Sequence, residues 1–441
     1  MEGSHPSSII TRIVNRRQSP CKRFGGMSAN WDHEADSVNR RKIDMHDFSY
    51  LTGISLHKPL PRTACRRKFV LVPAAIVICL IIFGPQGSIA EPACPRLSPS
   101  EIPPLSAHPV SQRPPAPPAR HPPVRWVRES EEMAAPLRII CYHPDGVVAD
   151  RAMARAIARI HQLNAVFNDY DPTSEVRRLC ETAGTGKKVR VSDDLWRLLA
   201  FSLKISEQTS GAFDVTIGPI VRLWRRARMS REMPPAYRFD EARQAVGYQF
   251  VRLYPEERAV ELLRPGMRLD FGAVAKGYAI DAALQVMRDE GVPSALIDLG
   301  GDLGLGDPPP DRHHWTVAVA AVKPGEPPSY FVRRARCGVA TSGDRYRFVV
   351  IGGKRYSHIV DPRSGVGLTD QSEVTVIAPN ATLADALATA VSVLGPEKGL
   401  AWVETFPDTA ALYLRLVGDH TEVHTSKRWK ELSGETADAQ L

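Results

Sequence analysis

The stretch Leu269-Asp270-Phe271-Gly272-Ala273-Val274-Ala275-Lys276-Gly277-Tyr278, continuing as AIDAALQVM to Met287, runs from a strand end through a glycine and small residues into a helix. Such a turn exposes backbone N–H groups at a helix start, and Lys276 adds a fixed positive charge in the first turn, which is how proteins hold phosphate. The same residues serve equally as a tight strand-to-helix turn chosen for packing. Around this turn, apolar spacing predicts helices over 152–168, over 193–208 after a Ser192/Asp193 cap signal, over 274–290 and over 383–395. Period-two patterning predicts short strands at Val246–Leu253 and Ala259–Leu263, joined by the turn Pro255-Glu256-Glu257. Others are expected at Ala295–Leu299, Trp315–Val322, Arg347–Ile351 with Lys354–Ile359, and Glu373–Ala378. Antiparallel hairpins with helices between them indicate an α+β fold, with mixed or antiparallel sheets and flanking helices. No solenoid period is visible.

Within Thr382-Leu383-Ala384-Asp385-Ala386-Leu387-Ala388-Thr389, Asp385 and Thr389 are four apart, so a helix stacks a carboxylate and a hydroxyl on one face. Two hard oxygen donors with open positions suit Mg²⁺, which keeps waters and completes its octahedron on substrate phosphates. Thr382 and Asp385 also have capping-box spacing, and Thr389 could bond back to the carbonyl of residue 385. A third segment, Gly338-Val339-Ala340-Thr341-Ser342-Gly343-Asp344, is followed by Tyr356-Ser357-His358-Ile359-Val360-Asp361-Pro362. His358 offers an imidazole that titrates near neutrality. Tyr170-Asp171-Pro172, Gly211-Ala212-Phe213-Asp214 with Thr216, and Asp298-Leu299-Gly300-Gly301-Asp302 stand as further polar turns.

The common signatures fail one by one. Ala183-Gly184-Thr185-Gly186-Lys187-Lys188 lacks a glycine at 181, and Lys188 stands where a P-loop needs Ser or Thr. Gly304-Leu305-Gly306 runs into Asp307 and three prolines and cannot open a Rossmann helix. No G-x-S-x-G or H-E-x-x-H is present. The seven cysteines form no C-x-x-C pair.

The 441 residues carry a net charge of +8, which by itself suggests nucleic acid. Residues 1–68, however, hold 13 Lys/Arg against six Asp/Glu, whereas the chain from 129 onward is acidic by two. The basic segment 1–68 precedes the uncharged run Phe69–Phe83 (FVLVPAAIVICLIIF), which reads with 69–90 as a signal peptide or membrane anchor. An A-x-A-like cleavage site falls after Ala90, and Met45 is a candidate start closer to the run. Cys94 lacks the aliphatic residue of a lipobox. The charge therefore belongs to membrane topology, with the folded part exported to or held at the periplasmic face, and no nucleic-acid partner is expected. Twelve of the 37 prolines lie between Glu91 and Pro123, so 91–128 reads as an extended linker. A folded domain is expected over 134–430 and a flexible tail over 431–441.

Taken in order, the segments resemble the ApbE family of FAD:protein FMN transferases over about Pro136 to Glu404. The motifs are YDP-S-E at 170–175, S-G-AFD-TIGP-LW from 210 to 224, LDFGAVAKGYAID at 269–281, LGGDL at 299–303, ATSGD at 340–344, YSHIVDPRSG at 356–365 and LADALATAVSVLG at 383–395. The resemblance implies FAD binding by Tyr170, by Ala212, Phe213 and Asp214, by Asp270 and Lys276, and near His358 and Ile359. It implies Mg²⁺ on Asp385, Thr389 and the main-chain carbonyl of Ala273, with His358 as candidate base. The chain departs from the family at its first strand, where Leu137-Arg138-Ile139-Ile140-Cys141-Tyr142-His143-Pro144 replaces the usual Met-Gly-Thr strand. The implied reaction is Mg²⁺-dependent transfer of the FMN moiety of FAD to a Thr or Ser hydroxyl of a partner flavoprotein carrying a Thr-containing motif, with release of AMP. A hydrolase yielding FMN and AMP, and a noncatalytic flavin-binding protein, are the alternatives.

Overall fold

The computed structural model describes residues 122–319, 329–345 and 347–434. The expected leader and most of the linker lie outside the described residues. Among the latter, no helix is long and apolar enough to cross a membrane.

The described chain opens on a hairpin, β1 (Val124–Glu132) and β2 (Ala135–His143), whose tight turn puts Met133 and Ala134 at positive φ. The expected linker boundary at 128 is corrected here: pairing begins at Val124, one residue after the last proline of the run. β1 is a half-exposed edge strand, so its apolar alternation is too faint to read, and its nine pairs with β2 decide its structure. Next come α1 (Gly146–Phe167), capped by Asp145, α2 (Glu175–Cys180), β3 (Val189–Arg190) and α3 (Asp193–Gln208), capped by Ser192 as expected. α4 (Gly218–Ser230) and α5 (Ala236–Gln244) follow. The strand expected from Val246 is displaced: Gly247 sits at φ 144°, a 3-10 turn occupies Tyr248–Phe250, and β4 runs only over Val251–Tyr254, pairing with β5 (Ala259–Leu262).

The second half consists of α6 (Ala275–Asp289), β6 (Ala295–Leu299), β7 (Asp302–Leu305), β8 (Trp315–Val319), β9 (Tyr330–Arg334) and β10 (Cys337–Gly343). The hairpin β11 (Phe348–Ile351) and β12 (Lys354–Ser357) turns at Gly352-Gly353, and a short pair, β13 (Val360–Asp361) and β14 (Val366–Gly367), follows it. β15 (Gln371–Ala378) leads into α7 (Ala381–Val403), which breaks at Gly395 (φ 79°) before Pro396, where the expected helix ended. The chain closes with β16 (Ala410–Val417), β17 (His420–Thr425) and α8 (Trp429–Ser433). Trp429 and Leu432 are buried, so the fold continues past the tail boundary expected at 431.

One antiparallel sheet in the order β1-β2-β6-β7-β10-β15-β16-β17 organises the fold. Its central strands are apolar on both faces because both faces are covered there, whereas the edge strands β1 and β17 are largely exposed. On β2, Leu137, Ile139 and Cys141 face the core shared with α1, α3, α6 and α7, while Ile140 faces a second core with Trp315, Val332 and Trp429. A third cluster centres on Trp224 of α4, Val349 of β11 and Val360. The α+β expectation holds, and the sheet ends bring the separate motifs together.

Candidate active site

The N-termini of α6 and α7 meet. α6 starts without a side-chain cap of its own, and the Gly277 N–H donates to Asp385 Oδ2 of α7 at 3.0 Å. In return, Asp281 of α6 accepts from the N–H groups of Ala381 and Thr382, both at 2.8 Å, and from Thr382 Oγ1 at 2.5 Å. Each helix thus caps the other with a carboxylate at its positive end. The approach requires Gly277, because a Cβ there would overlap the Ala381 carbonyl. The capping-box alternative for Thr382 and Asp385 is excluded: Asn380 caps α7, accepting from Leu383 N at 2.8 Å, and Thr382 lies inside the helix.

These contacts change the reading of the turn before α6. Gly272 N–H goes to Asp270 Oδ1, Val274 and Ala275 N–H to the Phe271 carbonyl, and Gly277 N–H to Asp385. These four donors are engaged within the protein and are not offered to phosphate. Because Gly277 N–H goes to Asp385, the Ala273 carbonyl is not taken by the amide four residues on, and the regular bonding of α6 resumes with Tyr278 N to Val274 O. The turn therefore offers an acceptor as well as fewer donors than the sequence suggests.

Lys276 pairs with Asp302 of β7, and its Nζ lies 4.0 Å from Asp385 Oδ1. Asp302 is buried and also accepts from Thr341 N at 3.2 Å, which ties the LGGDL and ATSGD segments into the same site. Asp302 was legible only as turn chemistry, because its partner lies on another element.

A second group surrounds Arg225 of α4. Its guanidinium bonds Asp169 Oδ2 at 2.5 Å and Asp270 Oδ2 at 2.8 Å, and its centre lies 4.0 Å from the ring centroid of Tyr170. Tyr170 is 70% exposed, so its ring remains open to a planar ligand. Burial pushes the Asp270 carboxyl up, reinforced by Asp169, while Arg225 opposes the shift. Sequence reading missed Arg225 and Arg228; their three-residue spacing beside Trp224 was the available signal, but it reads as an ordinary solvated helix face.

His358 follows β12. Its Nδ1 lies 3.1 Å from the Arg347 carbonyl, which holds the proton there and leaves Nε2 as the acceptor. Burial, together with the nearby Arg347, Arg228 and Lys276 cations, lowers its pKa to about 4. Arg228 also senses Tyr170 and Arg225, so the two groups share one electrostatic neighbourhood.

The remaining predicted residues are supporting in form. Ala212 and Phe213 are buried, and Asp214 accepts from Thr216 N and Oγ1 and from Tyr248 N. Burial raises its carboxyl. Ile359 is buried, its N–H held by Ser357 Oγ at 3.0 Å.

Among the described residues, no group of three or more His, Cys, Asp or Glu side chains is placed to hold a metal. A Mg²⁺ site here would therefore have to rest on mixed oxygen donors. Asp385 is buried, with one oxygen held by Gly277 and the other facing Lys276; Thr389 stands one turn on, and the Ala273 carbonyl lacks its helical partner. This donor set fits Mg²⁺.

The comparisons agree with this architecture. A model of the ApbE family matches residues 133–413. The FAD:protein FMN transferase of Treponema pallidum (strain Nichols) is 34% identical over 278 residues, 60% of this chain and 76% of its own. That of Haemophilus influenzae is 27% identical over 290 residues, covering 63% and 82%. The apo crystal structure of the Pseudomonas stutzeri flavinyl transferase ApbE superposes with a TM-score of 0.64 at 28% identity, covering 72% of this chain and all of that one. The class follows: this is a transferase with the fold of the flavin transferases. The chain belongs to the ApbE family.

Proposed function

We propose that the protein transfers the FMN moiety of FAD to a Thr or Ser hydroxyl of a partner flavoprotein, with Mg²⁺ and release of AMP. The observation that carries this reading is the junction of α6 and α7, where the buried Asp385 carboxylate takes the Gly277 N–H with one oxygen and faces Lys276 Nζ at 4.0 Å with the other. Tyr170 and Asp270, joined through Arg225, would receive the flavin end of FAD, and Lys276 would face its pyrophosphate. The metal, held by Asp385, Thr389 and the Ala273 carbonyl, would neutralise charge developing on the pyrophosphate oxygens.

The acceptor hydroxyl oxygen bonds to the FMN-side phosphorus, the P–O bond to AMP breaks, and the hydroxyl proton passes to His358 Nε2. Neutral imidazole is the resting form, because its pKa of about 4 lies far below neutral pH. A partner motif containing threonine, and an extracytoplasmic site of action after export or anchoring by the apolar run at 69–83, complete the proposal.

The test is incubation of the protein with FAD, Mg²⁺ and an acceptor domain known to be flavinylated by another family member. Covalent flavin on the acceptor with stoichiometric AMP is the expected result. AMP and FMN released without any acceptor would make the protein an FAD hydrolase, and tight FAD binding with no turnover a carrier.

A further inference from the structure

We propose that Asp281 is a positioning residue for the Mg²⁺ site, an inference that rests on the assignment of Asp385 and Thr389 as ligands. Asp281 acts not on a candidate ligand itself but on the segment that carries both. Its carboxylate takes three donors from the first turn of α7, namely the N–H groups of Ala381 and Thr382 and the Thr382 hydroxyl. Asp385 lies three residues beyond Thr382, and Thr389 one turn further, so the position of that first turn sets where both ligands point.

The coupling runs in both directions. Asp385 Oδ2 is held by Gly277 N–H, four residues before Asp281 on the same helix. Two carboxylates and two helix starts therefore form a closed loop, α6 to α7 through Asp281 and α7 to α6 through Asp385. The loop is packed to contact on both sides of Ala381: a Cβ at Gly277 would overlap the Ala381 carbonyl, and a Cβ at Gly338 of β10 would overlap the Ala381 amide. With Asp281 in place, Asp385 Oδ2 is committed to α6 and Oδ1 is left for a cation. Without it, three donors at the α7 start lose their buried acceptor, and the first turn must move to find others. Metal sites need their ligands held to a fraction of an ångström, so such a shift weakens the site while the fold stands.

The experiment measures Mn²⁺ binding, as a paramagnetic stand-in for Mg²⁺, by electron paramagnetic resonance on the intact protein. Wild type is compared with Asp281→Ala, Asp281→Asn and Thr382→Val, and thermal unfolding of each metal-free variant is recorded in parallel. Removing the partner of a metal ligand costs roughly 10–100-fold in affinity, and that loss is expected for Asp281→Ala. Asparagine keeps one of the two acceptor oxygens, enough for Thr382 or for Ala381 but not for both, and is expected to lose less. Thr382→Val removes one of the three donors and is expected to lose least.

A folded Asp281→Ala protein that binds Mn²⁺ as tightly as wild type overturns the proposal, even if it melts earlier, because that is what a merely structural role predicts. If Asp281→Ala does not fold, Thr382→Val and Asp281→Asn decide, and wild-type affinity in both overturns it. A wild-type protein that binds no Mn²⁺ removes the metal assignment itself, and this inference with it.

Discussion

Lys276 Nζ stands 4.0 Å from Asp385 Oδ1 while its ion pair is made with Asp302. The ammonium thus bonds Asp302 and makes only a longer ion pair with the proposed metal carboxylate, whose Oδ1 accepts no hydrogen bond from it. Asp385→Asn retains an oxygen to accept from Gly277 N–H but removes the charge. It is expected to leave the melting temperature close to wild type and to lower flavin transfer by more than about 100-fold, the scale of losing an electrostatic contact to the transition state. Transfer at the wild-type rate would sink the metal assignment.

Arg225 links Tyr170 to Asp270, so its removal acts on both. Arg225→Ala leaves the buried Asp270 carboxylate without its cation and frees the Tyr170 ring. A charged hydrogen bond contributes about 1.5–3 kcal/mol, so the FAD dissociation constant should rise by roughly tenfold or more. Arg225→Lys keeps the charge but loses the planar stack and should recover only part of the affinity. Quenching of flavin fluorescence by the protein measures both effects, and equal quenching in all three proteins would count against the role of Arg225.

Gly277 inverts the usual rule for helices. Gly→Ala at a compatible position stabilises a protein by about 0.4–1 kcal/mol. Here the new methyl would overlap the Ala381 carbonyl. Gly277→Ala is expected to destabilise by about 1–3 kcal/mol, as overpacking does, read from the midpoint of urea unfolding. A midpoint at or above wild type would show that the two helix starts are not in contact.

His358 sets a pH dependence with a definite sign. Its folded pKa, about 4, lies below the ordinary 6.5 because burial and the Arg347, Arg228 and Lys276 cations disfavour the imidazolium. The base is therefore available at neutral pH and lost only as pH falls through about 4. A pKa depressed in the folded state also means that its contribution to stability, full above pH 6.5, declines from there downward to about 4. Transfer rates should be flat on the acid side between about pH 7 and pH 5, and Arg228→Ala should move the acid limb upward. A wild-type limb centred near 6.5 would show that His358 is solvated or is not the base.

Much of the fold was legible where one element carries its own signal. The spacing in α1, the Ser192 cap of α3 and the glycine and proline ending the first part of α7 are local statements; the last two stand where expected, and α1 starts six residues before its expected beginning because Asp145 caps it. β1 was not legible, since an edge strand has one half-buried face and takes its structure from nine pairings with β2. The strand expected from Val246 failed because Gly247 turns the chain before pairing begins. In the site, Asp385, Thr389, Lys276 and His358 could be named from their segments. Their partners could not: Asp302 and Arg225 acquire meaning only opposite Lys276 and Asp270, and nothing in α6 alone says that Asp281 caps another helix.

By itself the sequence determined the longer helices, several of the strands, the segments that carry polar chemistry and the family they resemble, because these depend on residue type at short spacing. Tertiary structure alone decided which donors remained available. The turn before α6 reads as a row of free N–H groups until α7 arrives 108 residues later and Asp385 takes the one at Gly277. That outcome depends on how the antiparallel ladder of β7, β10 and β15 sets α7 against α6, a long-range register that no local window contains.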